Sequence, residues 1–128
     1  MRMNEISFEG PPPIDAYFDG GFRIAGALHQ GSALLIGTRV LSWPVEGASG
    51  LNIALFQPVL DSASAFDVLL IGTGDEIAPL PAALREAFEE YGVGADFMAT
   101  PAACRTYNVL LSEGRRVAAA LIATGQVA

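Results

Sequence analysis

The stretch from Asp67 to Ala123 most narrows what this chain can become, because apolar runs and helical patterns alternate along it. "DVLLIGTG" is a short continuous apolar run ending in glycines, the pattern of a strand buried on both faces. "LPAALREAFEEYG" follows, with Leu84, Ala87, Phe88 and Tyr91 spaced for one helical face and Gly92 placed to stop it. "VGADFM" reads as a second strand. Thr100-Pro101 then opens another helix, threonine as a cap for free N–H groups and proline in the first turn. That helix is expected to end near Gly114, with Arg115 and Arg116 against its C-terminal dipole. The alanine-rich "VAAALIA" suits a helix by propensity. The β-α-β-α rhythm before it asks for a strand, and strand is the reading adopted. Such alternation implies parallel strands joined by crossovers.

The first third has another texture. "GGFRIAGALHQGSALLIGTRVLSWP" alternates at Phe22, Ile24, Gly26 and Leu28, and a second strand runs through Trp43. His29-Gln30-Gly31-Ser32 supplies turn residues, so a hairpin loop is expected there. Pro11 to Pro13 cannot join a ladder, and residues 1–13 read as an extended N-terminal segment. Between Val45 and Phe66 the pattern is weakest, with one turn of helix expected at Pro58. An antiparallel portion followed by a parallel one gives a mixed α/β fold. With 128 residues, a single domain over 1–128 is expected, able to bury roughly two-thirds of its unfolded surface.

"LLIGT" occurs at Leu34–Thr38 and again at Leu69–Thr73. The flanks do not match, so two buried strands with similar demands explain it better than a duplication.

Composition removes several chemistries. All seven basic residues are arginines, which excludes a Schiff-base lysine and a phosphate-loop lysine. The net charge of −7 with scattered arginines disfavours nucleic acid, which needs a clustered basic face. One histidine and one cysteine make no zinc cluster and no internal disulfide, so neither metal nor cofactor is expected. "MRMNEISFEG" has no apolar signal region, and no apolar run approaches the ~20 residues that span a bilayer. A cytoplasmic protein without membrane insertion is expected. Hydrophobic residues make up 52% of the chain, an excess that a protein partner or a homodimer would cover.

Two places remain for chemistry. Gly72-Thr73-Gly74 lies between a buried strand and a helix, where ligands often bind. The dinucleotide fingerprint would need glycine at Ile77, and Asp75 and Glu76 would repel a phosphate. A tight strand-to-helix turn is the simpler reading, and a contact for a small ligand or peptide is the other. Cys104 sits about one turn into its helix beside Arg105, a setting that can favour a thiolate. Helical spacing gives Ala102, Ala103, Thr106, Val109 and Leu110 an inward face with Cys104 near its edge, so packing is the expected role. Arg105 and Asn108 share a face and together suit a carboxylate, an amide or a carbonyl. The simpler reading has Arg105 paired with a local acid and Asn108 solvated. Glu86, Glu89 and Glu90 read as a solvated helix face, and Trp43 and Phe56 as core or interface anchors.

"FDGGFRIAGALHQGSALLI", "WPV", "DVLLIGTGDE" and "ACRTYNVLLSEGRRVAAALI" follow one another here in the order of the respiratory complex one assembly factor three family, which includes the adipogenesis-associated domain protein. The chain resembles that family from Ile6 to about Ile122. The resemblance implies three layers: an antiparallel sheet packed on a mostly parallel central sheet, with helices outside. It implies no established enzymatic activity, and protein contacts during assembly of a respiratory or other membrane-associated complex. The family's signature falls on Gly72, Thr73, Gly74, Thr100, Ala103, Cys104, Arg105, Thr106, Tyr107 and Asn108. The family often has an acid at Ala99 and a glycine at Pro101, so a role resting on that acid has no bearer here. Two functions follow as expectations. One is a non-enzymatic protein-interaction domain. The other is a ligand binder or weak enzyme, with a site of Gly72, Thr73, Gly74, Thr100, Arg105, Tyr107 and Asn108.

Overall fold

The computed structural model describes residues 5–125. In chain order these form β1 (Glu5–Ser7), β2 (Ile14–Phe18), β3 (Gly21–Ile24), β4 (Ala27–Gln30), β5 (Ser32–Ile36) and β6 (Arg39–Trp43). Then come α1 (Gln57–Asp61), β7 (Val68–Gly72), α2 (Ala82–Glu90), β8 (Ala95–Met98), α3 (Thr100–Ser112) and β9 (Val117–Leu121). A six-stranded sheet has the order β1-β6-β5-β9-β7-β8, and β2-β3-β4 form a second, antiparallel sheet.

The α/β class and the small antiparallel sheet on a larger one match the expectation. The larger sheet is mixed: parallel pairing is confined to β9, β7 and β8. The β5–β6, β1–β6 and β5–β9 pairs are antiparallel. For β5–β6 the reason is local, since they are joined by two residues and have no helix to carry a parallel crossover.

Alternate residues of the large sheet feed two cores. Leu34, Ile36, Leu69, Ile71, Ala118 and Ala120 pack against Phe56 and Val59 near α1 and against Leu84 and Phe88 of α2. Leu35, Val40, Leu70, Ala119 and Leu121 pack against Phe22 and Ile24 of the small sheet and against Ala103, Cys104 and Tyr107 of α3. The helices therefore lie on both faces, with α3 sharing its side with the small sheet.

The alanines of β9 form a strand because of where they lie. β9 runs between the two "LLIG" strands, and Ala119 stands opposite Leu35 on one side and Leu70 on the other. Bulky neighbours and small central residues fill one layer. That shared demand accounts for the repeat.

The chain reverses at places other than the expected loop. His29 and Gln30 are strand residues opposite Phe22 and Gly21, and Ser32 begins β5. The hairpins turn at Asp19-Gly20, with Gly20 at φ 89°, at Ala25-Gly26, with φ of 48° and 83°, and at Gly37-Thr38, with Gly37 at 59°. Gly31, at φ 84°, passes the chain from one sheet to the other. The signal was misleading because Ala25 adopts a conformation that alanine rarely takes.

Pro11 to Pro13 lie outside the ladders, but Glu5–Ser7 in the N-terminal segment pairs with Arg39–Leu41 at the sheet edge. Residues 1–4 of that segment lie outside the described residues. Pro58 occupies the first turn of α1, as expected. The Trp43 indole donates to the Leu55 carbonyl at 2.8 Å and its ring meets Phe56 edge-on, so both aromatics are core. α2 buries Leu84 and Phe88, while Tyr91 is its cap and is exposed.

Candidate functional site

The 72–74 turn and the start of α3 do converge, because β7 lies between β8, which feeds α3, and β9. Thr100 joins them. Its hydroxyl accepts from the Gly74 N–H at 2.9 Å and donates to the Ile122 carbonyl at 2.6 Å. Its own N–H donates to the Gly74 carbonyl at 2.8 Å. Thr100 is thus fully buried as a cross-brace, whereas a helix cap was expected. The helix is capped by Ala99 without a side-chain bond, and Pro101 sits in its first turn.

Gly72 is required by this close approach. A Cβ there would come 2.8 Å from the Thr100 hydroxyl oxygen and 3.1 Å from a Leu121 methyl. Gly74 is required by conformation, at φ 106°. Thr73 closes the turn on itself: its hydroxyl donates to the Glu76 carbonyl at 2.8 Å and accepts from the Ala78 N–H at 3.0 Å.

Along α3 the buried residues are Thr100, Ala103, Cys104 and Tyr107, a stripe at helical spacing. The expected inward face is therefore rotated: Val109 is 53% exposed and Cys104 lies within the stripe, not at its edge. Cys104 is 4% exposed, and burial pushes its thiol up to about 12 against the opposing pull of Arg105. A neutral, buried thiol is packing. The ring of His29, the one candidate base, sits 3.0 Å from the Ser32 carbonyl oxygen.

Tyr107 and Asn108 reach across to the chain before the small sheet. The Tyr107 hydroxyl donates to the Pro12 carbonyl at 2.8 Å, and burial raises its ionisation well above the usual phenol range. The Asn108 amide accepts from the Ile14 N–H at 2.9 Å and donates to the Ile14 carbonyl at 2.8 Å. Asn108 was expected to bind another molecule or water, and here it completes a strand edge. Arg105 is exposed and has no ion pair among the described residues.

Sequence reasoning missed Ser32, read as a loop residue. Its buried hydroxyl donates to the Val45 carbonyl at 2.6 Å and accepts from the Ala123 N–H at 2.9 Å. Ser32 and Thr100 thus hold adjacent residues beyond β9 from two sides. A small polar residue at the start of an all-apolar strand was the available signal.

A cleft borders the 73–78 turn. It has about 370 Å³ and runs between that turn and residues 46–49, floored by Ile122 and Ala123, with Glu46 and Glu76 in its walls. Thr73 and Gly74 line it; Thr100, Arg105, Tyr107 and Asn108 do not. Among the described residues, no group of three or more His, Cys, Asp or Glu side chains could hold a metal, and no helix is long and apolar enough to cross a membrane.

Comparison with known proteins returns a family model described as "Protein of unknown function (DUF498/DUF598)", matching residues 14–122. An uncharacterized protein of Rhodobacter capsulatus is 44% identical over 95% of this chain and 93% of its own. Human NADH dehydrogenase [ubiquinone] 1 alpha subcomplex assembly factor 3 is 31% identical over 85% of this chain, which spans only 59% of that protein. The mouse protein of the same name is 30% identical, with 66% of its length spanned. A crystal structure described as an outer membrane protein from Bartonella henselae superposes with a TM-score of 0.84 at 43% identity, covering 91% of this chain and 98% of that one.

Proposed function

Because the chain belongs to the DUF498/DUF598 family, we propose that it is a non-enzymatic protein-interaction domain that helps assemble a multi-subunit, membrane-associated complex from the cytoplasmic side. Relatives bearing the assembly-factor name support the direction of this reading. The observation that carries it is the inward use of the family signature. Thr73, Thr100, Cys104, Tyr107 and Asn108 are all engaged in packing or internal hydrogen bonds. A set of groups so engaged builds a surface; it leaves no nucleophile and base for a substrate.

What the signature turns outward is Arg105, and it is the residue assigned to the partner. The outer face of the small sheet adds apolar area: by register Phe18, Arg23 and Leu28 share the side opposite Phe22 and Ile24, and Leu28 is 56% exposed. On that face the exposed apolar side chains flank Arg23, a combination that suits a protein partner.

Native co-purification of the full chain tests the reading. A multi-subunit complex is expected with the unaltered chain, and is expected to be lost with Arg105→Ala or Leu28→Asp while the melting temperature stays unchanged. A strictly monomeric chain with no stable partner would sink it. The competing reading, a ligand site between the 72–74 turn and α3, predicts that a metabolite raises the melting temperature and that Arg105→Ala abolishes the rise.

A further inference from the structure

The start of β9 and the end of α3 frame a groove that no role described so far uses. It has about 490 Å³, within the range typical of small-molecule sites, and its walls include Pro11, Ala65, Leu111 and Val117. Arg115 and Arg116 are the charged residues lining it. This is the one place in the acidic chain where two arginines are adjacent.

The two arginines differ in availability. Arg116 is occupied: it makes a two-point contact with Asp67, at 2.7 and 3.3 Å, and donates to the Ser64 carbonyl at 3.1 Å. Its charge is matched and its fork is filled. Arg115 is exposed and has no ion pair among the described residues. The sequence suggests that it serves the C-terminus of α3, but the backbone already does so. The Gly114 N–H donates to the Leu111 carbonyl at 3.0 Å and the Arg115 N–H to the Leu110 carbonyl at 2.9 Å. This double bond pattern closes the helix without a side chain. The Arg115 guanidinium is left beside an apolar trough with donors to spare.

We propose that this groove binds a small aliphatic carboxylate, its head on Arg115 and its chain along Leu111, Val117 and Ala65. An anion alone would gain little from one exposed arginine, and an uncharged chain would leave that arginine unanswered. A molecule carrying both parts uses the whole groove.

Titration of the full chain with dodecanoate, followed by amide NMR shifts, tests this against two half-ligands: acetate, which lacks the chain, and dodecanol, which lacks the charge. Saturable one-to-one binding of dodecanoate is expected, with shifts centred on residues 111–117 and both half-ligands at least tenfold weaker. Arg115→Gln is expected to weaken dodecanoate at least tenfold. Ala65→Glu, at an exposed position, is expected to abolish binding, with unchanged thermal melting showing that each variant folds. Equal binding of dodecanol, undiminished binding by Arg115→Gln, or no saturable binding would each overturn the proposal. So would an acidic, leucine-containing peptide that occupies residues 111–117 when dodecanoate does not, since the groove would then be a protein-docking surface.

Discussion

Asn108 of α3 and Ile14 of β2, 94 positions apart in the chain, exchange two hydrogen bonds. The asparagine side chain copies the donor and acceptor of a peptide group and so stands in for a neighbouring strand. It is the point where the small sheet is fastened to the helix beneath it.

Removing that fastening leaves both backbone groups of Ile14 without a partner. Asn108→Ala is expected to cost about 2 kcal/mol in denaturant unfolding. The Ile14 amide should exchange its hydrogen faster than the amides of β7. Arg105→Ala, three residues away and exposed, is expected to stay within about 0.5 kcal/mol of the parent.

At the brace between the 72–74 turn and β9, shape and hydrogen bonding can be separated. Thr100→Val keeps the volume but strands the Gly74 N–H and the Ile122 carbonyl, and is expected to cost about 2–4 kcal/mol. Thr100→Ser keeps both bonds and is expected to cost less than about 1.5 kcal/mol. Gly72→Ala pushes a methyl into the same oxygen and is expected to cost about 1–3 kcal/mol. Urea unfolding of the three variants gives the ranking.

Ala25 offers the opposite sign. Its φ of 48° is strained for alanine and ordinary for glycine. Ala25→Gly is therefore expected to stabilise by about 1 kcal/mol, read as a rise of several degrees in the melting temperature.

Alkali should weaken the fold through Cys104. The thiol ionises near its ordinary 9.0 when the chain is unfolded and at about 12 when folded. Across that interval the unfolded chain has released a proton that the folded chain keeps, so stability falls as pH rises; well below pH 9 this group adds no slope. Between pH 8 and 10 the expected loss from this group is about 1 kcal/mol, and Cys104→Ala should leave only the smaller loss due to the buried Tyr107 hydroxyl. Iodoacetamide should label Cys104 slowly until denaturant is added.

Much of the architecture was legible because it rests on local periodicity. The apolar run at Val68–Gly72, the face of α2 and the proline starts of α1 and α3 all carry their own signal. The hairpin positions were not legible, since Ala25 turns against its own preference and His29 takes a strand place set by Phe22 across the ladder. At the candidate site the convergence of the 72–74 turn with α3 followed from strand order. What Thr100, Tyr107 and Asn108 do there did not, because their partners are backbone groups of Ile122, Pro12 and Ile14, and no pattern in the sequence reports a carbonyl 22, 95 or 94 residues away.

The position of β9 between β5 and β7 has a consequence for synthesis. As the polypeptide leaves the ribosome, β5–β6 and β7–β8 emerge as two fragments, each with a bare apolar edge facing the gap that Val117–Leu121 later fills. Contacts of such long sequence separation form late, and open edges invite wrong pairing meanwhile. A chain stopped before Val117 therefore lacks the strand that joins the two halves, and leaves two sticky half-sheets rather than a smaller version of the fold.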